Sequence, residues 1–198
     1  MKTRQVFERY DRNIVSSITP PTYCPQCGKK FDLVPLEKGY RLECKSCRFI
    51  FYKNPYPGVV VLINDHGKIL IGKRAKNVFE GGKWSLPGGF IEFEEDFLSA
   101  AHREILEETG LSIKITSILN VVSNFFSPEL HTIVIVLLAE KTNGEPTPGD
   151  DIEELGWFAL SDPLPDLAFE ADRDIINRYY KTKISGLPID FRFVFPQY

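Results

Sequence analysis

The chain has 198 residues, modestly more than a single domain of roughly 100–150 residues. Hydrophobic residues make up 43% of it, so it can bury a core and is not a globally disordered protein. The formal net charge is −3 and no long basic run is present, which argues against a nucleic-acid-binding protein. No apolar run reaches the roughly 18 residues that span a bilayer, and the N-terminus lacks the apolar segment of a signal peptide. We therefore expect a cytoplasmic protein with no membrane partner, made of one domain and a small appendage.

The N-terminal part of the chain contains all of its cysteines. Residues 1–21 are predicted to be a leader, and two C-x₂-C pairs separated by sixteen residues follow it. These cysteines are Cys24, Cys27, Cys44 and Cys47. Without an export signal, a reducing compartment favours metal ligation over disulfides, and the spacing is typical of a zinc site. A four-cysteine site has no open coordination position, so we predict a structural Zn²⁺ in a zinc ribbon over residues 22–53. Four unligated thiols are the alternative.

The remaining residues, 54–198, are predicted to form the main domain. Strand-like runs at 58–63 and 68–74, joined by a short turn, indicate a β-hairpin. A helical period follows from Asp96 to Thr109 and ends at Gly110, a residue typical of helix C-termini. The later predicted elements are strands at 113–126, 132–140 and 155–160, a helix at 169–181 and an edge strand at 191–195.

The first predicted helix carries three glutamates on one face. Glu104, Glu107 and Glu108 stand at positions i, i+3 and i+4. They repel one another, and their location near the C-terminal end of the helix opposes the helix dipole. A bound divalent cation removes both conflicts, and carboxylate oxygens suit Mg²⁺ or Mn²⁺. The glycines Gly88 and Gly89 let backbone carbonyls approach such an ion closely. A solvated acidic face is the alternative.

A longer pattern around these glutamates resembles a known family. The 23 residues 89–111 match G-x₅-E-x₇-R-E-U-x-E-E-x-G-U, the Nudix box, in which U is a bulky aliphatic residue. The resemblance implies an α/β/α sandwich around a mixed sheet, and Mg²⁺- or Mn²⁺-dependent hydrolysis of a nucleoside diphosphate linked to another moiety. The residues that it implies as metal ligands are Glu104, Glu107, Glu108 and the carbonyl of Gly89. By motif position, Arg103 orients the glutamates and Glu95 supports the loop or the metal surroundings.

The other site residues are less fixed by the motif. In this family the general base is either a box glutamate or a carboxylate from a later loop, and in the acidic segment 150–154 we prefer Glu153 and Glu154. Substrate binding is assigned to three residues: Arg74, Phe125 and Phe126. The two aromatic rings can stack on a base, although core packing explains them equally well.

The combination of a zinc ribbon with a Nudix box resembles the NADH pyrophosphatase branch of the family. That branch carries a further signature after the box, of which this chain keeps only Ser123 and an aromatic-proline character. The substrate is therefore left open among ADP-ribose, NADH, FAD and a nucleotide sugar, each releasing a mononucleotide. The alternatives are a nucleoside triphosphatase, a non-hydrolysing nucleotide sensor, and RNA-end processing aided by the ribbon. Relatives are often dimers, so a homodimer is also left open.

Overall fold

The computed structural model describes residues 6–7, 21–37, 39–127, 130–190 and 195. In chain order its elements are β1 Val6–Phe7, β2 Asp32–Pro35, β3 Tyr40–Glu43, β4 Ile50–Phe51, β5 Tyr56–Asp65, β6 Lys68–Arg74, β7 Trp84–Ser85, α1 Phe97–Thr109, β8 Ser112–Phe125, β9 His131–Asn143, β10 Ile152–Ala159, α2 Glu170–Thr182 and β11 Leu187–Pro188.

The main sheet contains eight of the described strands. Its order is β1-β8-β9-β5-β6-β10, with β11 paired to β8 and β7 paired to β6. The pairs β5–β9 and β1–β8 are parallel. The pairs β5–β6, β8–β9 and β6–β10 are antiparallel. The sheet is therefore mixed, as predicted.

Each of the two described helices covers one face of this sheet. Successive side chains of a strand point to opposite faces, and β5 follows that alternation. Val59 and Val61 of β5 pack in one core with Ile105 of α1. Leu62 belongs to the other core, together with Ile175 of α2. The sheet lies between the helices, which confirms the predicted α/β/α sandwich.

The hairpin of β5 and β6 has the turn that its sequence favours. His66 and Gly67 both adopt positive φ, 48° and 82°, as a two-residue turn of type I′ requires. The side chain of Asn64 accepts a hydrogen bond from the Gly67 N–H at 3.2 Å. This turn fixes the register in which β6 returns along β5.

Helix α1 is capped at both ends by the residues that the sequence indicated. The Asp96 carboxylate accepts hydrogen bonds from the N–H groups of Leu98 and Ser99, at 2.8 and 3.1 Å. At the other end Gly110 adopts φ 68° and donates its N–H to the carbonyl of Leu106 at 2.9 Å. The predicted helix is confirmed, and its limits determine which glutamates stand on its last turn.

The cysteine-containing segment forms a sheet of its own. Strands β2, β3 and β4 pair in that order and are antiparallel. Phe31 and Leu42 pack there against the buried Cys24 and Cys44. A core this small needs a further constraint to be stable, which a metal ion can supply.

The other predicted strands and the second helix are present within a few residues of their expected limits. The short strands β1, β2, β4, β7 and β11 were not predicted. Of the predicted leader, 1–21, only β1 and Pro21 are described, and of the predicted strand 191–195 only Phe195. Neither described helix has the length and apolarity needed to cross a membrane.

Candidate active site

The glycine turn before α1 lies against the edge of β5. The carbonyl of Gly89 accepts a hydrogen bond from the Val59 N–H at 2.9 Å, and the Pro87 carbonyl accepts from Val61 at 2.9 Å. A Cβ on Gly89 would lie 2.5 Å from the carboxylate of Glu104. Gly88 has φ 142° and a Cβ there would collide with the Val59 carbonyl. Position 88 therefore needs glycine because of its backbone conformation, and position 89 needs glycine because the Glu104 carboxylate lies so close.

Glu108 is a buried carboxylate with little compensation. It is 4% exposed, and its Oε2 accepts one hydrogen bond, from the Gly88 N–H at 2.8 Å. Burial raises the pKa of Glu108 to about 8, because the charged form loses its hydration. Burial therefore favours the neutral form of Glu108, and a cation bound beside it would stabilise the charged form.

Arg103 joins the glutamates of α1 to the preceding loop. Its Nη1 donates to Glu104 at 2.8 Å and to Glu107 at 3.0 Å. Nε and Nη2 donate to the two oxygens of Glu95 at 3.1 and 2.5 Å, and Nη2 also reaches the Phe90 carbonyl at 3.1 Å. The hydrogen bonds from Arg103 lower the pKa of Glu95. Burial raises the pKa of Glu104 in spite of Arg103. One guanidinium thus aligns three carboxylates without neutralising the site completely.

Arg103 and the three glutamates of α1 line a cavity of about 550 Å³, a usual size for a small-molecule site. The cavity brings together most of the predicted site residues, namely Arg74, Gly89, Arg103, Glu104, Glu107, Glu108 and Phe126. It does not include Phe125, whose ring stacks on His131 with centroids 3.9 Å apart. Glu153 and Glu154 also lie outside its lining and pair with Lys73 at 3.5 and 3.4 Å.

Two other acidic residues of the same segment do line the cavity, Asp150 and Asp151. The loop that carries them is held against the end of α1, since the N–H groups of Thr147 and Gly149 donate to the carbonyls of Thr109 and Glu108 at 2.9 and 3.1 Å. The charge of Asp150 contributes to the raised pKa of both Glu104 and Glu108. Asp150 therefore lies close to the box carboxylates.

The other end of the cavity has an aromatic wall. Phe126 lies 5.5 Å from Phe169 and 5.8 Å from Phe79, and Phe79 stacks on Phe169 at 6.3 Å, measured between ring centroids. The guanidinium of Arg74 lies 5.6 Å from the centre of the Phe169 ring. Such a wall suits a planar aromatic group of a ligand.

Four residues of this end were missed in the sequence, Phe79, Asn124, Phe169 and Asp172. They belong to separate elements and form no motif. A signal existed for Asp172, because it stands on the same helix face as the buried Ile175, Ile176 and Tyr179. A charged residue inside an apolar stripe is unusual and points to a specific role.

The four cysteine sulfurs converge. Cys24 and Cys47 lie 3.6 Å apart, Cys27 and Cys44 lie 3.4 Å apart, and all four sulfurs are within 4.8 Å of one another. Tetrahedral coordination with metal–sulfur bonds of about 2.3 Å places sulfurs about 3.8 Å apart. The cluster can therefore hold a metal ion.

Both C-x₂-C turns have the same backbone design. In the first, Gly28 donates to the Cys24 carbonyl at 2.9 Å, and in the second Arg48 donates to the Cys44 carbonyl at 2.7 Å. Gly28 and Arg48 both have positive φ, 70° and 63°. This repeated turn directs the two thiols of each pair to one point.

The glutamates of α1 form a looser group. Among the described residues, the four cysteines are the one group of side chains that lie close enough together, as they stand, to hold a metal ion. Arg103 engages oxygens of Glu104 and Glu107. The all-oxygen donors, the buried carboxyl group of Glu108 and the close approach of Gly89 nevertheless fit a hard divalent cation.

Comparison with known proteins identifies the family. The NUDIX domain model matches residues 54–179. The chain belongs to the Nudix family. It is 40% identical over 162 residues to a protein of Methanocaldococcus jannaschii named ADP-ribose pyrophosphatase, covering 81% of this chain and 86% of that protein.

Other Nudix proteins share less of the chain. A protein of Pasteurella multocida named NAD-capped RNA hydrolase NudC is 30% identical over 146 residues, or 73% of this chain, which spans 53% of that relative's length. The crystal structure of a NUDIX hydrolase from Nitrosomonas europaea superposes with a TM-score of 0.71 at 30% identity, covering 85% of this chain and 95% of that one. The chain is a Nudix hydrolase with the fold expected from its box.

The ion pair of Arg103 with Glu95 yields a prediction on stability. Glu95→Gln removes a charged acceptor and lowers the free energy of unfolding at pH 7 by about 1.5–3 kcal/mol. The pKa of Glu95 is lower in the folded protein than in the unfolded chain. The ionised Glu95 therefore adds to the free energy of unfolding above its unfolded-state pKa, and this contribution is lost as the pH falls through the folded-state pKa. The difference between wild type and variant therefore narrows below about pH 4.5. Urea unfolding from pH 7 to pH 3 measures it.

The matched control for this experiment is Glu94→Gln, a change at the neighbouring exposed glutamate. It is expected to shift the unfolding free energy by less than about 0.5 kcal/mol at every pH. A pH-independent difference for Glu95→Gln would contradict the ion-pair assignment.

Proposed function

We propose that this protein hydrolyses the diphosphate bridge of ADP-ribose or a closely related nucleoside diphosphate derivative. The observation that supports it most is a single cavity with box carboxylates at one end and an aromatic wall at the other. Similarity to a protein named ADP-ribose pyrophosphatase, over 86% of that protein's length, favours ADP-ribose among the substrates that the sequence left open. In this reaction water adds to one phosphorus, the bridging P–O bond breaks, and AMP and ribose 5-phosphate are released.

The residues proposed to hold Mg²⁺ or Mn²⁺ are Glu104, Glu107, Glu108 and the Gly89 carbonyl. Such an ion neutralises diphosphate charge and lowers the pKa of bound water. Arg103 is a positioning residue in this proposal, because it fixes oxygens of Glu104 and Glu107 from one side. Glu95 in turn fixes Arg103 through two hydrogen bonds.

The general base is proposed to be Asp150. It lines the cavity, whereas Glu153 and Glu154 lie outside the lining and pair with Lys73. Its loop is fastened to the end of α1 by backbone hydrogen bonds, so it follows the box glutamates rather than moving independently. Asp150 takes the proton of the attacking water.

The substrate end is proposed to use two of the three predicted binding residues. Phe126 contributes a ring to the aromatic wall, and Arg74 places a positive charge beside Phe169 and close enough to Glu108 to influence its pKa. Arg74 therefore stands between the two ends of the cavity, where a phosphate group of the substrate would pass. Phe125 packs on His131 outside the cavity lining, so it is not part of the proposed substrate site.

The cysteine cluster is proposed to bind Zn²⁺ with a structural role. Four thiolates suit zinc, and they leave no coordination position for a substrate. The thiols form no disulfide in the structure, and the proposal implies a reducing compartment such as the cytosol, where they stay available to a metal.

Hydrolysis of NAD(H) or of an NAD-derived RNA end is the second candidate. It is favoured by 30% identity to a protein named NAD-capped RNA hydrolase NudC, of which this chain spans about half. A non-hydrolysing sensor is less well supported, because every carboxylate of the box is present. These candidates differ in the molecules released, so one assay separates them.

The proposed function predicts AMP and ribose 5-phosphate from ADP-ribose in the presence of Mg²⁺ or Mn²⁺. A panel of ADP-ribose, NADH, FAD, a nucleotide sugar, nucleoside triphosphates and NAD-capped RNA, analysed by liquid chromatography, measures the preference. We expect the highest kcat/KM for ADP-ribose. Glu107→Gln and Glu108→Gln are expected to reduce turnover about 10²- to 10⁴-fold with the fold intact. They should also abolish the thermal stabilisation by Mn²⁺.

The exposed Glu94→Gln is the control variant and should keep wild-type turnover. A higher kcat/KM for another compound of the panel would show that this compound, and not ADP-ribose, is the preferred substrate. Near wild-type turnover in both Glu107→Gln and Glu108→Gln would show that these glutamates are not the metal ligands.

The base assignment predicts different effects for neighbouring acids. Asp150→Asn is expected to lower kcat about 10²- to 10⁴-fold and to leave KM for ADP-ribose nearly unchanged. Glu153→Gln and Glu154→Gln are expected to change kcat less than about threefold, because both pair with Lys73 outside the cavity. Steady-state kinetics at saturating Mg²⁺ measures the three variants. If kcat falls strongly only in Glu153→Gln or Glu154→Gln, the residue changed in that variant is the general base and Asp150 is not.

The zinc assignment predicts that Cys24→Ser loses the bound metal. Wild-type protein should carry about one Zn²⁺ per chain by atomic emission and the variant none, because three thiolates bind zinc much more weakly than four. Residues 22–53 should then become the first segment cut in limited proteolysis. Ser46→Ala, in the second cysteine turn, should keep its zinc. Unchanged zinc content in Cys24→Ser would contradict the four-cysteine assignment.

A further inference from the structure

Asp172 of α2 is a buried acid that the proposed chemistry does not use. It lines the cavity at the aromatic end and is 3% exposed. Its Oδ2 accepts a hydrogen bond from the Leu86 N–H at 2.9 Å. The described residues offer Asp172 this one donor, so a structural role accounts for Oδ2 and not for Oδ1. Burying a carboxylate is costly, and one oxygen is left for a bound molecule.

A second polar group on the same wall is also incompletely satisfied. Asn124 of β8 lines the cavity and is 6% exposed. Its amide nitrogen donates to Thr132 Oγ1 at 3.3 Å, while its amide oxygen has no partner among the residues that the structure describes. Buried side-chain oxygens normally have partners, so this one is a second indication of a ligand.

The chemistry of this end defines the group that fits it. Phe79, Phe126 and Phe169 provide an apolar wall for a planar ring. Two buried oxygens, on Asp172 and Asn124, need N–H donors from the ligand. An exocyclic amino group on an aromatic base supplies two such donors in one plane, whereas a carbonyl in that position would turn an oxygen toward a carboxylate.

We propose that Asp172 is a specificity residue that accepts a hydrogen bond from the 6-amino group of adenine, with the base held against the aromatic wall. The Asn124 amide is the neighbouring contact of the same base edge. This inference rests on the proposed function and extends it, because it assigns the nucleobase to the α2 end of the cavity and the diphosphate to the α1 end. Arg74, whose charge acts on both Glu108 and Asp172, marks the passage between them.

The decisive experiment compares two substrates that differ at one position of the base, ADP-ribose and its hypoxanthine analogue IDP-ribose. Wild-type protein is expected to prefer ADP-ribose about 10- to 100-fold in kcat/KM, because the analogue leaves Asp172 facing an oxygen. Asp172→Asn offers an amide in place of the carboxylate, and its N–H can donate to the hypoxanthine oxygen. The preference should fall to about unity or reverse, mainly through KM.

The control is Glu170→Gln, which removes an exposed acid from the same turn of α2. It should keep the wild-type preference. Because Asp172→Asn can affect folding, its thermal midpoint is measured, and gained activity on IDP-ribose reports a folded enzyme directly. Equal rates of wild type on both substrates, or an unchanged preference in Asp172→Asn, would overturn the inference.

Failure of the proposed function is distinguishable from failure of this inference. If neither ADP-ribose nor IDP-ribose is cleaved, the proposed function fails, while calorimetric binding of AMP and IMP still tests the base site. Tighter binding of AMP by wild type, lost in Asp172→Asn, would support the specificity role without turnover. Equal binding of both mononucleotides by the two proteins would exclude it.

Discussion

The closeness of the glycine turn to the last two turns of α1 is the constraint on which the site depends. A Cβ at Gly89 would lie 2.5 Å from the Glu104 carboxylate, and Gly88 donates its N–H to Glu108. The same turn is hydrogen-bonded to β5. Strand, turn and helix therefore form one rigid unit in which negative charge is concentrated. Such a unit costs stability alone and becomes favourable when a cation is bound.

Arg103 shows how the protein tolerates that charge. A guanidinium that contacts Glu95, Glu104 and Glu107 reduces their repulsion and keeps their oxygens aligned. It does not reach Glu108, whose pKa burial raises to about 8. The stabilisation is thus enough for folding and incomplete at the buried end of the site. A cation bound there would stabilise the ionised form of Glu108, which Arg103 does not.

The two ends of the cavity come from opposite faces of the sheet. Helix α1 supplies the carboxylates from one face, and α2 with the ends of β8 and β9 supplies the aromatic and polar wall from the other. A substrate with a base at one end and a diphosphate in its middle matches this division. In the proposed function the box supplies the reaction, while α2 selects the nucleotide that reacts.

Local patterns in the sequence determined a large part of this protein. The hairpin, both caps of α1, the cysteine spacing and the Nudix box are short-range features, and each is set by neighbouring residues. Only the tertiary structure decided the rest of the site. Asp150 entered the cavity and Glu154 did not, because a loop docks on the end of α1. Asp172 and Phe126 line the same cavity because α2 and β8 share one core, a meeting of distant segments that no spacing along the chain records.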